Sequence, residues 1–151
     1  DATVELAKTL KFPSFERDTE YVALVNDAEE YPLLAGDIGS SDGHRVKKED
    51  YQSVTNEFIV PHSSAKHTKW HRSSYMVGAL ARVNLNYDKL HPKAKALADA
   101  IGLKPVVKNP FLNTAAQLVE CVHCLEDGIR ILEDFKQKGV NQDVSGAGRP
   151  Q

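Results

Sequence analysis

The stretch NPFLNTAAQLVECVHCLEDGIRILEDFKQKG, residues 109–139, decides the fold class. Apolar side chains recur along it at alternating steps of four and three residues, at Phe111, Ala115, Leu118, Val122, Leu125, Ile129 and Leu132. Because this spacing follows the turn of an α-helix, it predicts one long helix of about seven turns with a packed apolar stripe. Asn109 is a typical capping residue, Pro110 suits the first helical position and Gly139 suits the end.

Shorter helices are expected outside this stretch. Residues 92–101 begin with a proline and place Ala94, Leu97, Ala98 and Ile101 on one face, and Gly102 would end the helix. Residues 3–10 also carry apolar side chains near helical spacing, with Pro13 as a stop.

The N-terminal third has the pattern of short antiparallel strands. Residues 20–25, EYVALV, are rich in strand formers. Residues 31–35, YPLLA, are expected to pair with them, and their proline confines them to an edge. The glycine-rich residues 36–43 predict a turn ending at Asp42-Gly43, followed by a short strand at residues 44–46.

The middle of the chain is less regular. Residues 48–58 place Tyr51, Val54 and Phe58 on one face of a predicted helix, whereas residues 60–74 predict an irregular basic segment. The sequence therefore predicts an α+β fold with N-terminal hairpins, an irregular middle and a helical C-terminal half. We expect a single domain over residues 1–139 and a polar, mobile tail over residues 140–151.

Composition and charge narrow the functional classes. The chain has 151 residues, 41% apolar and 26% charged, which is typical of a soluble globular domain. No apolar run approaches the roughly 18 residues that span a bilayer, so no membrane partner is expected. Residues 1–50 carry a net charge of −6 and residues 51–108 a net charge of +6, while the whole chain carries −2. A net charge this close to zero gives no overall electrostatic attraction to nucleic acid. Two cysteines are too few for a disulfide framework and indicate a reducing compartment, the cytoplasm.

Cys121 and Cys124 have the spacing of a redox or metal-binding pair. A redox pair normally lies at a helix N-terminus, however, and this pair lies inside the predicted long helix. A metal site would need further ligands, and His123 faces another side of that helix. We therefore predict packed, structural thiols and no metal site in this chain.

A histidine cluster and one carboxylate are the other candidates for chemistry. His62, His67 and His71 lie among basic residues that would repel a cation, which favours hydrogen-bonding histidines over metal ligands. Glu57 directly precedes this basic segment and is a candidate proton-handling carboxylate.

Several segments together resemble the central part of nickel–iron hydrogenase large subunits, closest to the cytoplasmic, cofactor-coupled kind. The segments are Asp50-Tyr51, Asn56-Glu57, PHSSAK at residues 61–66 and YMVGALARVN at residues 75–84. The flanks at residues 31–43 and 109–120 agree, and the resemblance covers about residues 12–136. The Val-Gly-x-Leu-Ala-Arg run is its most specific part.

The chain also departs from that family. Such subunits hold nickel and iron with four cysteines, in an N-terminal Arg-x-Cys-Gly-x-Cys segment and a C-terminal Asp-Pro-Cys-x-x-Cys segment. Neither segment is present, and Ala79 stands where the family usually has proline. The resemblance therefore implies an internal segment of a large subunit, inactive by itself, whose long helix expects a partner helix from the missing parts. Exposure of that apolar face would allow self-association.

The resemblance further implies a parent enzyme that reversibly splits hydrogen into protons and electrons at a nickel–iron centre and passes electrons to an iron–sulfur small subunit. Within this chain it assigns Glu57, Ser63, Lys66 and Arg82 to holding the cofactor pocket and relaying protons. No cofactor is expected in this chain itself. The alternative is a free-standing, non-catalytic binding module without metal.

Overall fold

The computed structural model describes residues 2, 5, 9, 11–54 and 56–139. The strands are β1 (Glu20–Val25), β2 (Asp37–Ser40), β3 (Arg45–Val46), β4 (Asn56–Val60), β5 (Ser63–Lys69) and β6 (Tyr75–Met76). The helices are α1 (Ala79–Asn86), α2 (Pro92–Ala100) and α3 (Asn113–Lys138), with 3₁₀ turns at Lys48–Ser53, Tyr87–Lys89 and Pro110–Leu112. These elements confirm the α+β class and the long C-terminal helix.

The larger sheet has the strand order β3-β2-β1-β6. Strand β1 lies antiparallel to β2, with Val22 opposite Ser40, and parallel to β6, with Glu20 opposite Tyr75. The predicted strand at residues 20–25 is confirmed, as is the strand after the Asp42-Gly43 turn. Strand β6 comes from the middle of the chain, so residues 47–74 lie between two strands of the sheet in sequence. They leave the sheet after β3 and return to it at β6.

The partner of β1 differs from the prediction. Residues 31–35 form a connection rather than a strand, and the strand comes from residues 37–40, which were expected to be a turn. The glycines explain this: a Cβ atom at Gly39 would lie 2.6 Å from Val25 Cγ1, so only glycine lets β2 approach β1 here. Pro32 cannot donate to a ladder and lies buried in the connection.

The middle of the chain forms a second hairpin, so the prediction of an irregular segment there is wrong. Strands β4 and β5 pair antiparallel, with Phe58 opposite His67. The predicted helix over residues 48–58 is also wrong beyond its first part, which is a 3₁₀ turn. Nearly every hairpin residue is exposed on both faces, so its strands carry no apolar alternation for a pattern to detect.

Helix α1 packs on β1, α3 packs on both α1 and α2, and the three helices provide most of the core. Buried apolar side chains come from all of them: Ala79, Leu80, Ala81, Val83, Ala94, Leu97, Ala98, Ala115, Ala116 and Val119. The α2 prediction is confirmed, with Pro92 in the first turn and Gly102 in the left-handed region (φ +77) after its end. Asn109 caps the 3₁₀ turn before α3 by accepting the Phe111 N–H at 3.0 Å.

Helix α3 buries only part of the predicted apolar stripe, since Ala115 is buried and Val122 is half-buried against the core. Its buried residues are Ala115, Ala116, Val119, Glu120 and His123. Of the predicted stripe, Phe111, Leu125, Ile129 and Leu132 are exposed. The periodicity correctly indicated an apolar face, but within the described residues most of that face has no partner.

Two predicted features fall outside the described residues. Of the helix expected over residues 3–10, only Glu5 and Thr9 are among the described residues. The polar tail over residues 140–151 lies entirely outside them. Among the described helices, none combines the length and apolar character needed to cross a membrane.

Candidate functional site

The structure distributes the four predicted site residues over two places. Glu57 lies on β4, Ser63 and Lys66 lie on β5, and Arg82 lies on α1. The hairpin brings Glu57 and Lys66 together, whereas Arg82 bonds to α3 instead. Glu57 and Lys66 therefore form one exposed pair, Arg82 belongs to a half-buried network, and Ser63 belongs to neither.

The hairpin pair is an exposed salt bridge. Lys66 Nζ donates to Glu57 Oε2 at 2.8 Å, and this hydrogen bond raises the pKa of Lys66. Ser63 Oγ accepts the Ala65 N–H at 3.1 Å and shapes the start of β5. A carboxylate paired with an ammonium in solvent can exchange protons with water, which keeps a proton-handling role open to Glu57.

The half-buried network joins three parts of the fold. Arg82 makes two hydrogen bonds to the Glu120 carboxylate, Nε to Oε1 and Nη2 to Oε2, each 2.6 Å long. The Tyr31 hydroxyl donates to Glu120 Oε1 at 2.9 Å. Burial and then the neighbouring Glu120 carboxylate raise the pKa of Tyr31, which keeps the phenol protonated as a donor. Since Tyr31 lies in the β1–β2 connection, Glu120 ties that connection to α1 and α3.

His123 extends this network on the next turn of α3. Its Nδ1 accepts the His91 N–H at 3.0 Å, and its ring lies 4.8 Å from the Tyr31 ring. An acceptor at Nδ1 requires the neutral ring with its proton on Nε2. Burial lowers the pKa of His123 below its ordinary value of 6.5, which favours the same state.

A groove opens beside this network, between α3 and the β1–β2 connection. Its volume is about 810 Å³, and Tyr31 and His123 line its inner end. Its apolar lining residues include Leu33, Leu34 and Ile131. The polar rim is provided by Glu29, Glu30, Lys89, His91, Asp127 and Arg130. Two basic side chains on the rim already have hydrogen-bond partners within the chain: Lys89 donates to Asn26, and Arg130 donates to Asp127.

Stability is expected to fall on acidification because of His123. Its pKa is depressed in the folded protein, so the unfolded chain binds more protons below the ordinary value, and the free energy of unfolding decreases as pH falls through this range. Urea unfolding at about pH 7 and about pH 5 measures the change. His123→Asn, whose amide oxygen can still accept the His91 N–H, should show a smaller decrease, and an unchanged decrease would assign it to other groups.

Glu20 is a further buried carboxylate, which no sequence pattern indicated. Its side chain is fully buried and accepts hydrogen bonds from Ser40 Oγ at 2.6 Å, from His71 N at 3.1 Å and from Arg72 N at 3.2 Å. Burial raises the pKa of Glu20, but these hydrogen bonds together outweigh burial and the pKa is lowered. Glu20 therefore holds the chain where the hairpin returns to the sheet. Its two backbone donors lie 51 and 52 positions away, a separation that no local pattern reveals.

The histidine cluster is divided by the fold. His71 stacks on His44 with ring centroids 3.5 Å apart and lies 4.7 Å from the Trp70 ring. His62 and His67 meet edge to face at 5.8 Å near the hairpin turn. Each histidine is thus placed by aromatic contacts, although His71 Nδ1 also approaches Glu20 at 3.5 Å.

The two thiols are free and exposed, so the prediction that Cys121 and Cys124 are packed is wrong. The helix turns them away from the body because its buried face passes through Val119 and His123. Burial is nevertheless the largest cause that raises the pKa of Cys124, which disfavours a thiolate ligand. Within the described part of the chain, no three His, Cys, Asp or Glu side chains are grouped to hold a metal ion. The residues present therefore do not fit a four-thiolate nickel–iron centre.

The overall sequence matches a curated hydrogenase subunit. The chain is 36% identical over 139 residues to sulfhydrogenase 1 subunit alpha of Pyrococcus furiosus. The chain is therefore similar to a hydrogenase subunit. The match covers 90% of the chain and 32% of the relative, so the chain spans about a third of the length of the curated relative that it matches. No family model matches the chain. This similarity supports the hydrogenase resemblance seen in residues 12–136.

Proposed function

We propose that this chain is the central segment of a nickel–iron hydrogenase large subunit. The observation that carries the proposal is the 36% identity to a hydrogenase alpha subunit across 90% of the chain. The parent enzyme would reversibly oxidise hydrogen to protons and electrons in the cytoplasm and pass the electrons to an iron–sulfur small subunit. The ligands of the nickel–iron centre would come from parts of the subunit outside these residues, and the chain alone would be inactive.

The described residues suit a supporting role in such an enzyme. The Arg82–Glu120–Tyr31 network fixes α1, α3 and the β1–β2 connection relative to one another. The hairpin extends an ion pair, Glu57–Lys66, beyond this framework. We assign the network to positioning the framework and the ion pair to proton transfer at its edge.

The direct test is the activity of the complete subunit. The reading frame around this chain is extended in both directions and expressed with its maturation partners. The proposal predicts Arg-x-Cys-Gly-x-Cys upstream, Asp-Pro-Cys-x-x-Cys downstream, bound nickel and hydrogen-dependent reduction of an artificial electron acceptor. A frame without these cysteine segments, or a complete protein without nickel, would refute it.

Glu57→Gln is expected to lower hydrogen uptake by the complete enzyme by at least about tenfold, because the amide cannot carry a proton. Nickel content should stay unchanged, which separates proton transfer from assembly. Asp134→Asn is the matched control, since Asp134 also pairs with a lysine at an exposed site, Lys138 Nζ at 3.0 Å. Equal hydrogen uptake by the two variants would exclude the proton-transfer role.

A further inference from the structure

The face of α3 that points away from the body is apolar over most of its length. At about 100° per residue, Leu118, Leu125, Ile129 and Leu132 lie on one side, opposite Ala116, Val119 and His123. Leu125 and Leu132 are each 68% exposed, and Ile129 is 49% exposed. Cys121 and Gly128 lie on the same side, and their small size permits close approach of another helix. We call this side the outer face.

The spacing on the outer face indicates what would cover it. Apolar residues at alternating steps of three and four form the seam by which one helix packs along another. Isolated exposed leucines are ordinary, but Leu125, Ile129 and Leu132 follow one another at steps of four and three, and a contiguous exposed seam of about two turns marks an interaction site. An amphipathic helix therefore fits this surface better than a small ligand does.

Charge beside the seam disfavours an antiparallel second copy of the chain as the occupant. Glu126 and Glu133 lie along one edge of the outer face, seven residues apart. In an antiparallel pair of identical helices this edge faces itself, which places like charges opposite each other. Glu126 is paired with Lys93 at 2.8 Å, whereas Glu133 has no ion-pair partner among the described residues. A helix with a basic residue along the opposing edge would complement the Glu133 carboxylate, because Lys93 already neutralises Glu126.

We propose that the outer face binds an amphipathic helix with a basic edge, supplied by the rest of the same subunit. The source rests on the proposed function: the matched relative is about three times as long as the aligned region, so the greater part of such a subunit lies outside this chain. The bound helix would bury Leu125, Ile129 and Leu132 and place a lysine or arginine against Glu133.

Binding of designed peptides to the 151-residue chain tests the chemistry of the occupant. Two helical peptides of about three heptads share one leucine–isoleucine seam and differ only in lysine or glutamate along the edges. Fluorescence anisotropy should show at least about tenfold tighter binding of the lysine peptide, and Glu133→Lys should remove most of this preference. Leu132→Gln should abolish binding, while Ile59→Gln, at an exposed apolar residue of the hairpin, should not. Equal affinities or an inert Leu132→Gln would overturn the proposal, as would a chain dimer that Leu132→Gln dissociates.

Thiol labelling tests the source of the helix. Cys121 should react with iodoacetamide in the 151-residue chain and become protected at least about tenfold in the complete subunit. Cys124 lies farther around the helix and provides an internal comparison. Full reactivity of Cys121 in a folded complete subunit would overturn the proposal. Protection of Cys121 in a complete protein without hydrogenase activity would instead refute only the proposed function.

Discussion

Arg82→Ala is expected to lower the free energy of unfolding by about 3 kcal/mol. The substitution leaves the Glu120 carboxylate nearly buried, with only the Tyr31 hydroxyl as a donor on it, and a buried charge without its partner is costly. Urea unfolding followed by circular dichroism measures the loss. This loss is at the lower end of the range for breaking a buried ion pair, because the Arg82 side chain is about a third exposed to solvent.

Arg130→Ala is the matched control for Arg82→Ala. Arg130 also makes two hydrogen bonds to a carboxylate, Asp127, but both partners are exposed to solvent. Such pairs contribute at most about 1 kcal/mol. Equal losses for the two variants would show that the Glu120 network does not stabilise the fold through its burial.

Glu20→Ala is expected to cost about 3 kcal/mol, since it leaves the Ser40 hydroxyl and the backbone N–H groups of His71 and Arg72 without their acceptor. Glu20→Gln retains one acceptor oxygen and should lose less. Glu29→Ala removes an exposed carboxylate and should change stability by less than about 0.5 kcal/mol. Losses of similar size for Glu20→Ala and Glu29→Ala would contradict the anchoring role.

Glu20 also makes the free energy of unfolding decrease at acidic pH, in addition to the effect of His123. The pKa of Glu20 is lower in the folded protein than its ordinary value of about 4.5, so its contribution is complete above that value and is lost as pH falls through the folded pKa. In Glu20→Gln this part of the pH dependence disappears. Unfolding curves collected between about pH 5 and about pH 3 therefore distinguish Glu20 from His123, whose effect lies nearer neutrality.

Local patterns predicted the elements whose own residues determine them. Residues 20–25, the α2 helix and the long helix were found because their capping residues and apolar spacing are contiguous in sequence. Strand β2 was missed because Gly39 serves a close approach to Val25, which is a tertiary requirement. The β4–β5 hairpin was missed because neither of its faces is buried.

The candidate site was predictable only in part. The family resemblance selected Glu57, Lys66 and Arg82, which do form ion pairs, but it gave no sign that Arg82 pairs with Glu120. Glu20 carried no signal at all, because a glutamate at the start of a strand ordinarily faces solvent. Buried polar networks join residues far apart in sequence, and spacing rules do not reach them.

The hairpin makes its principal contacts within itself, while the sheet on either side of it closes through the parallel pairing of β1 with β6. We therefore expect the hairpin and the sheet to open independently. Hydrogen exchange should show the ladder amides of β4 and β5 exchanging through a local opening of small free energy, and those of β1 and α1 exchanging only when the core unfolds. A sequence change in the hairpin can thus alter its length or tip without changing the melting of the rest.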